Sequence, residues 1–168
     1  MLFRSHFLLG TYFKDNYNKV LSRTPAVTTP VQILRLEVWV TNRNGTTTNT
    51  RDIVGLMDLG EKNSYLQPPL VNNLINTELP SNGVNDLYGK IIGNSANRNP
   101  ALVVNNLQAL GLLPVQDFEK TFARKLDSTQ YIFNSQAGYI SLSQPLLPDE
   151  VLAVAYQYTY NGRIYQIG

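Results

Sequence analysis

The sequence predicts an α+β fold, a mostly antiparallel sheet with two to three helices packed on one face. Three observations lead there. β-prone runs gather in two blocks of the chain, helical periodicities are confined to its start and its middle, and a strong two-residue turn signal joins the last two runs. Segregated helices and strands of this kind favour an antiparallel sheet with the helices to one side. A length of 168 residues fits one domain with a real hydrophobic core. Residues 1–168 therefore read as a single module, with 61–116 a helical and irregular insertion within it.

Phe3, Phe7, Phe13, Tyr17, Val20 and Leu21 recur at mostly three- and four-residue spacings, which predicts a helix over 3–22. Gly10 weakens that helix and is the place for it to divide; Pro25 and Pro30 end it. Val31–Arg43 is the clearest strand. Leu34, Leu36, Val38 and Val40 form its core face, while Ile33, Arg35, Glu37 and Trp39 form a face that is half exposed or covered by a loop. A turn-rich stretch from Asn44-Gly45 to Thr50 leads into Ile53–Leu59, read as a second strand antiparallel to the first.

Gly60–Pro80, with Pro68-Pro69 and many asparagines, reads as an irregular connection. Val84, Leu87, Tyr88, Ile91 and Ile92 return to helical spacing. A further helix is marked by Asn99 as cap, Pro100 in its first turn and Gly111 at its end. Leu102, Val103, Leu107 and Leu110 form its apolar face. Strands resume after Pro114: Phe118, Phe122 and Leu126 share a face with Lys120 and Arg124, and Tyr131–Phe133 and Tyr139–Leu142 are short β runs around Gly138. Val151–Tyr160 is the last long strand. Asn161-Gly162 readily supplies the two positive φ angles of a type I′ turn. The return strand, RIYQIG, is shorter than its partner, so the sequence reads as a piece of a longer chain.

Chemistry is sparse. Lys and Arg number 14, Asp and Glu 12, and charged residues make up only 15% of the chain. The cations are scattered, with only Arg124-Lys125 adjacent, and no basic stripe for nucleic acid forms. The absence of Cys removes disulfides, zinc thiolates and thiol catalysis. His6 is the only histidine, which leaves no triad or His-rich metal site; it reads as a helix-surface residue. Asp52, Asp58 and Glu61 cluster without the alternating spacing of a calcium loop and read as strand ends with local Arg51 pairing. Asp117 and Glu119 would share one face of a strand, as paired acids for glycoside hydrolysis require, but no aromatic sugar platform accompanies them.

Tyr156, Tyr158, Tyr160 and Tyr165 make an aromatic ladder. It serves either as a membrane-interface girdle or carbohydrate platform, or as core. Ala153 and Ala155 make the opposite face apolar as well, unlike an outer-membrane strand, and favour core packing. Gly83, Gly89 and Gly93 do not match a phosphate loop. Asn44-Gly45-Thr46 matches the N-glycosylation pattern. No signal peptide and no apolar run of transmembrane length is visible. The residues assign no catalytic, cofactor-binding or metal site.

Five segments carry a resemblance. EVWVTNR (Glu37–Arg43), NTRDIVGLMDLGE (Asn49–Glu61), ARKLDSTQYIFN (Ala123–Asn134), GYISL (Gly138–Leu142) and DEVLAVAYQYTYNGRIYQIG (Asp149–Gly168) are similar in order and spacing to the SprA/Sov proteins of the Bacteroidetes. These very large outer-membrane proteins serve gliding motility and the type IX secretion system, where they form the protein-conducting translocon, a giant β-barrel with substantial non-barrel domains. The resemblance implies a non-catalytic structural or partner-docking module of such a translocon. Its implied partners are the remainder of the translocon polypeptide, other type IX subunits and exported cargo, with no nucleic acid and no membrane span in this segment. The implied location is the periplasmic or extracellular face of the outer membrane, with a signal peptide upstream. Asp127-Ser128-Thr129 also resembles an O-glycosylation tripeptide of exported Bacteroidetes proteins. The matching residues read as fold determinants, Trp39, Gly138 and Gly162 above all. The alternative is a cell-surface carbohydrate- or protein-binding module of adhesin type; a hydrolase ranks last.

Overall fold

The computed structural model describes residues 5–22, 29–43, 45–57, 59 and 87–168. Along them run β1 (His6–Leu8), α1 (Thr11–Leu21), β2 (Val31–Thr41), β3 (Thr50–Leu56), α2 (Leu87–Gly93), a 3-10 turn (Ser95–Arg98), α3 (Val103–Ala109), β4 (Phe118–Lys125), β5 (Tyr131–Asn134), β6 (Tyr139–Leu142), β7 (Leu152–Tyr160) and β8 (Arg163–Ile167). The strands form two antiparallel sheets, one in the order β3-β4-β2-β7-β8 and one in the order β1-β6-β5. The expected α+β class is the observed one.

β2 and β7 form the spine of the larger sheet, paired from Val31↔Tyr160 to Val40↔Leu152. The register slips between Ile33 and Arg35, where two residues of β2 oppose one of β7, so Leu34 is the extra residue of a β-bulge. The bulge reverses the face that strict alternation assigns to the start of the strand. Val31 and Ile33 are buried and Leu34 is 50% exposed, while beyond the bulge Val38 and Val40 face the core as expected. Leu36 packs half-buried against the same core.

The expected helix over 3–22 splits at Gly10. Residues 6–8 pair with Tyr139–Ser141 of β6, because the backbone of β6 offers this stretch a ladder that helical spacing alone does not. Helix α1 begins at Thr11 and buries Phe13; Phe3 lies outside the described residues. Phe13, with Leu9, Ile140 and Leu142 of the small sheet, packs on Val31, Ile33, Val38, Val40, Tyr156 and Tyr158 of the large one.

β3 corrects a second expectation. It spans Thr50–Leu56 rather than 53–59, and it pairs with β4 along its whole length, not with β2. β2 has one edge taken by β7 and the other met by β4 at Trp39–Thr41. β3 therefore lies beyond β4 and runs parallel to β2. Register places Val54, Leu56 and Phe118 on the same side of the sheet as Val38 and Val40. There they form a second core with Leu87, Val103, Leu107 and Leu112, so the helices among the described residues, α1, α2 and α3, pack on one side of the sheet.

Within 61–116, residues 61–86 lie outside the described residues, including the expected connection to Pro80 and Val84. Asn99 opens the next turn: its Oδ1 accepts the Ala101 N–H at 2.9 Å and its carbonyl accepts those of Leu102 and Val103. Regular helix starts only at Val103 and ends at Ala109. Gly111, at φ +86°, reverses the chain, with Leu112 N–H bonded to the Leu107 carbonyl and Gly111 N–H to that of Gln108, a Schellman end. Leu102 and Leu110 are consequently exposed, flanking the helix instead of sharing its apolar face, and Leu112 takes the buried position. On β4, Phe118 is buried but Phe122 is 49% exposed, since α2 and α3 cover only the Phe118 end.

Candidate functional site

Trp39 sits at the junction of three strands. It faces Lys125 of β4 and Ala153 of β7, on the side of the sheet opposite the helices. The Arg51 guanidinium, from β3, lies 4.5 Å from the centre of its ring, and Lys125 Nζ approaches from 5.9 Å. Lys125 Nζ also donates to Glu37 Oε1 at 2.7 Å, and Arg35 Nη2 to the same oxygen at 3.1 Å. The Lys125 hydrogen bond is the main reason the Glu37 carboxyl sits below its ordinary range; partial burial opposes the shift, and the charges of Lys125 and Arg35 add to it. Cations over an indole and around a carboxylate tie β2, β3 and β4 together. Of the acids expected to pair with Arg51, Asp58 and Glu61 lie outside the described residues. An Arg two strands from a Trp leaves no spacing signal, so sequence reasoning missed it.

On the helix side, a cleft of about 640 Å³ opens between β3–β4 and the α2–α3 segment. Val54, Leu56, Ile91, Val103 and Leu107 give it an apolar base, and Asp52, Arg98 and Lys120 stand on its rim. Asn97 braces one wall, donating from Nδ2 to the Ile91 carbonyl at 2.9 Å and accepting from Asn106 Nδ2 at 2.9 Å. Lys120 Nζ donates to the Pro100 carbonyl at 2.8 Å, closing the cleft across β4. Apolar walls with a few polar groups suit an apolar side chain or small ligand.

Among the described residues, those weighed from sequence do not converge. His6 lies on β1, its Nδ1 2.6 Å from Ser141 Oγ of the paired strand, not on a helix. Asp52 is exposed on β3, and Asp58 and Glu61 lie outside the described residues. Asp117 is buried in the turn before β4, where its Oδ2 accepts the Leu113 N–H at 2.7 Å and its own N–H donates to the Leu113 carbonyl. Glu119 is exposed within β4, opposite Gly55. Asp117 thus precedes the strand and locks a turn, and the two acids do not form a hydrolytic pair. Among the described residues, no three His, Cys, Asp or Glu side chains come together as a metal site would need.

The tyrosine ladder is core. Tyr156 and Tyr158 are buried, and Tyr158 stacks on Tyr165 with centroids 5.0 Å apart. Gly89 and Gly93 belong to α2; Gly83 and Asn44 lie outside the described residues. Asp127-Ser128-Thr129 occupies an exposed turn after β4, where the Thr129 N–H and hydroxyl bond to Asp127 Oδ1 and hold its carboxyl below the ordinary range. No protein-family model and no curated protein matches the chain. Among the described residues no helix is long and apolar enough to cross a membrane, which says nothing of a β-barrel.

Proposed function

We propose that this chain is a non-catalytic structural or partner-docking module of an outer-membrane translocon of the SprA/Sov type, serving protein export and gliding motility. The observation that carries this reading is where the five resembling segments lie. Glu37–Arg43 holds the end of β2, Asn49–Glu61 holds β3, Ala123–Asn134 spans the end of β4 and all of β5, Gly138–Leu142 holds β6, and Asp149–Gly168 holds β7 and β8. These segments pair with one another: β2 with β7, β2 and β3 with the Ala123–Lys125 end of β4, and β5 with β6. The three positions singled out as most constrained have matching roles. Trp39 is buried at the three-strand junction, and Gly138 and Gly162 hold φ of +64° and +74°.

Subcellular fractionation with an antibody raised against this chain tests the proposal. The expected result is a band far heavier than 18.9 kDa in the outer-membrane fraction. A soluble band of that mass in the cytosol would overturn it.

The cleft between β3–β4 and α2–α3 favours a second reading, a cell-surface module that binds protein. The buried tyrosine ladder speaks against its carbohydrate-binding form, which needs exposed rings. A cell-surface ligand that binds the wild-type chain but not an Ile91→Arg variant would support this reading over the first.

A further inference from the structure

We infer that a pocket on the core side of the larger sheet binds a small carboxylate with a short apolar tail. It lies between the ends of β2 and β4 and the chain that joins β6 to β7. Its volume is about 420 Å³, within the range of small-molecule sites. Val40, Leu126 and Leu142 give it a buried apolar floor, and half-buried Leu146 adds to one wall. The joining chain is pinned at both ends. Ser143 N–H donates to the Gln130 carbonyl at 2.9 Å, and Val151 N–H donates to Thr41 Oγ1 at 3.1 Å. Arg43 Nε lies 3.3 Å from Asp149 Oδ2, and Glu150 Oε2 accepts the Leu147 N–H at 2.9 Å. The walls are therefore in place before a ligand arrives, which spares binding the cost of ordering them.

Charge selects the ligand. Among the described residues of the lining, Arg124 and Glu150 carry charge. The Glu150 carboxylate is engaged by its own turn, whereas Arg124 is unmatched. It stands opposite Val40 of β2 and Thr50 of β3, so register puts it on the apolar side of the sheet. It is half-buried there, and no ion pair joins it to another described residue. A guanidinium offers paired N–H donors in the geometry a carboxylate accepts, and the leucine floor takes a carbon chain. This pocket shares no described lining residue with the cleft over β3–β4, and its chemistry does not rest on membership in a translocon.

Titration of the full chain with hexanoate, hexanol and hexylamine, followed by methyl and guanidinium NMR, is the test. Hexanoate should saturably shift the methyl signals of Leu126, Leu142 and Leu146 and the Nε–H signal of Arg124. It should bind about tenfold more tightly than hexanol, because a hydrogen bond to a charged group adds about that much. Hexylamine should bind more weakly than either. Arg124→Gln should reduce hexanoate to the affinity of hexanol and leave hexanol unchanged. If that variant fails to fold, the ranking of the three probes on the wild-type chain decides alone. Tightest binding by hexylamine would give the pocket to Glu150 and overturn the proposal. So would equal affinity for hexanoate and hexanol, unchanged hexanoate affinity in Arg124→Gln, or no saturable shift with hexanoate at tens of millimolar.

Discussion

The ring of Phe13 occupies the place a side chain on Gly138 would need. A methyl group added at Gly138 would coincide with that ring, and Gly138 also holds φ +64°, a conformation L side chains rarely adopt. The contact seats α1 on the β5–β6 hairpin. Leu9 N–H, just ahead of the helix, donates to the Gly138 carbonyl at 2.9 Å. Gly138→Ala is expected to cost about 2–5 kcal/mol, combining left-handed strain with overpacking. Chemical denaturation measures this. Phe13→Ala, itself costly, should reduce the additional penalty of Gly138→Ala, because the clash is then gone.

The bulge on β2 separates two apolar residues that alternation alone would place together. Val38 is fully buried and Leu34 half exposed. Val38→Asp should abolish soluble expression, since an unpaired buried carboxylate costs more than a domain can lose. Leu34→Asp should express and melt within a few degrees of the wild type. Equal behaviour of the two variants in a solubility assay would contradict the bulge.

Glu37 gives the fold a pH dependence. Its carboxyl lies below the ordinary value of 4.5, chiefly through the Lys125 hydrogen bond. A carboxylate whose pKa is lowered by folding contributes fully above its unfolded value, and the contribution fades as pH falls through the folded one. Wild-type stability should therefore drop below pH 4.5 more steeply than that of Glu37→Gln. At neutral pH the difference should be no more than about 1 kcal/mol, because the pair is partly exposed. Urea midpoints from pH 3 to 7 check both. A parallel pH profile for the two proteins would show that Glu37 is not the group responsible.

Arg51 over Trp39 should be worth about 0.5–1 kcal/mol at this partly exposed site. Arg51→Gln should lose about that much and shift the emission of Trp39, the only tryptophan in the chain. An unshifted spectrum would argue that the guanidinium leaves the ring in solution.

Much of the fold was legible because local chemistry agreed with it. Asn161-Gly162 forms the turn its residues favour, with φ of +49° and +74°, and Gly111 ends α3 as expected. Tyr156 and Tyr158 are core, as the apolar opposite face of β7 indicated. The misreadings share one cause: tertiary pairing overrode local pattern. His6–Leu8 has helical spacing but takes a place beside β6. Leu34 has strand alternation but sits in a bulge whose position depends on β7. β3 follows β2 in sequence, yet β4 separates them. The same limit hid the candidate sites. The Arg51–Trp39 contact and the cleft over β3–β4 each join residues that only the sheet order brings together.

The most direct test of the proposed role is export itself. In cells carrying the parent gene, Val38→Asp and Leu34→Asp are introduced separately, and exported cargo in the medium is quantified beside the parent polypeptide in the outer membrane. If this chain is a structural module of the translocon, Val38→Asp stops export and Leu34→Asp leaves it intact. Normal export from Val38→Asp cells, with the variant polypeptide present in the outer membrane, would contradict the account.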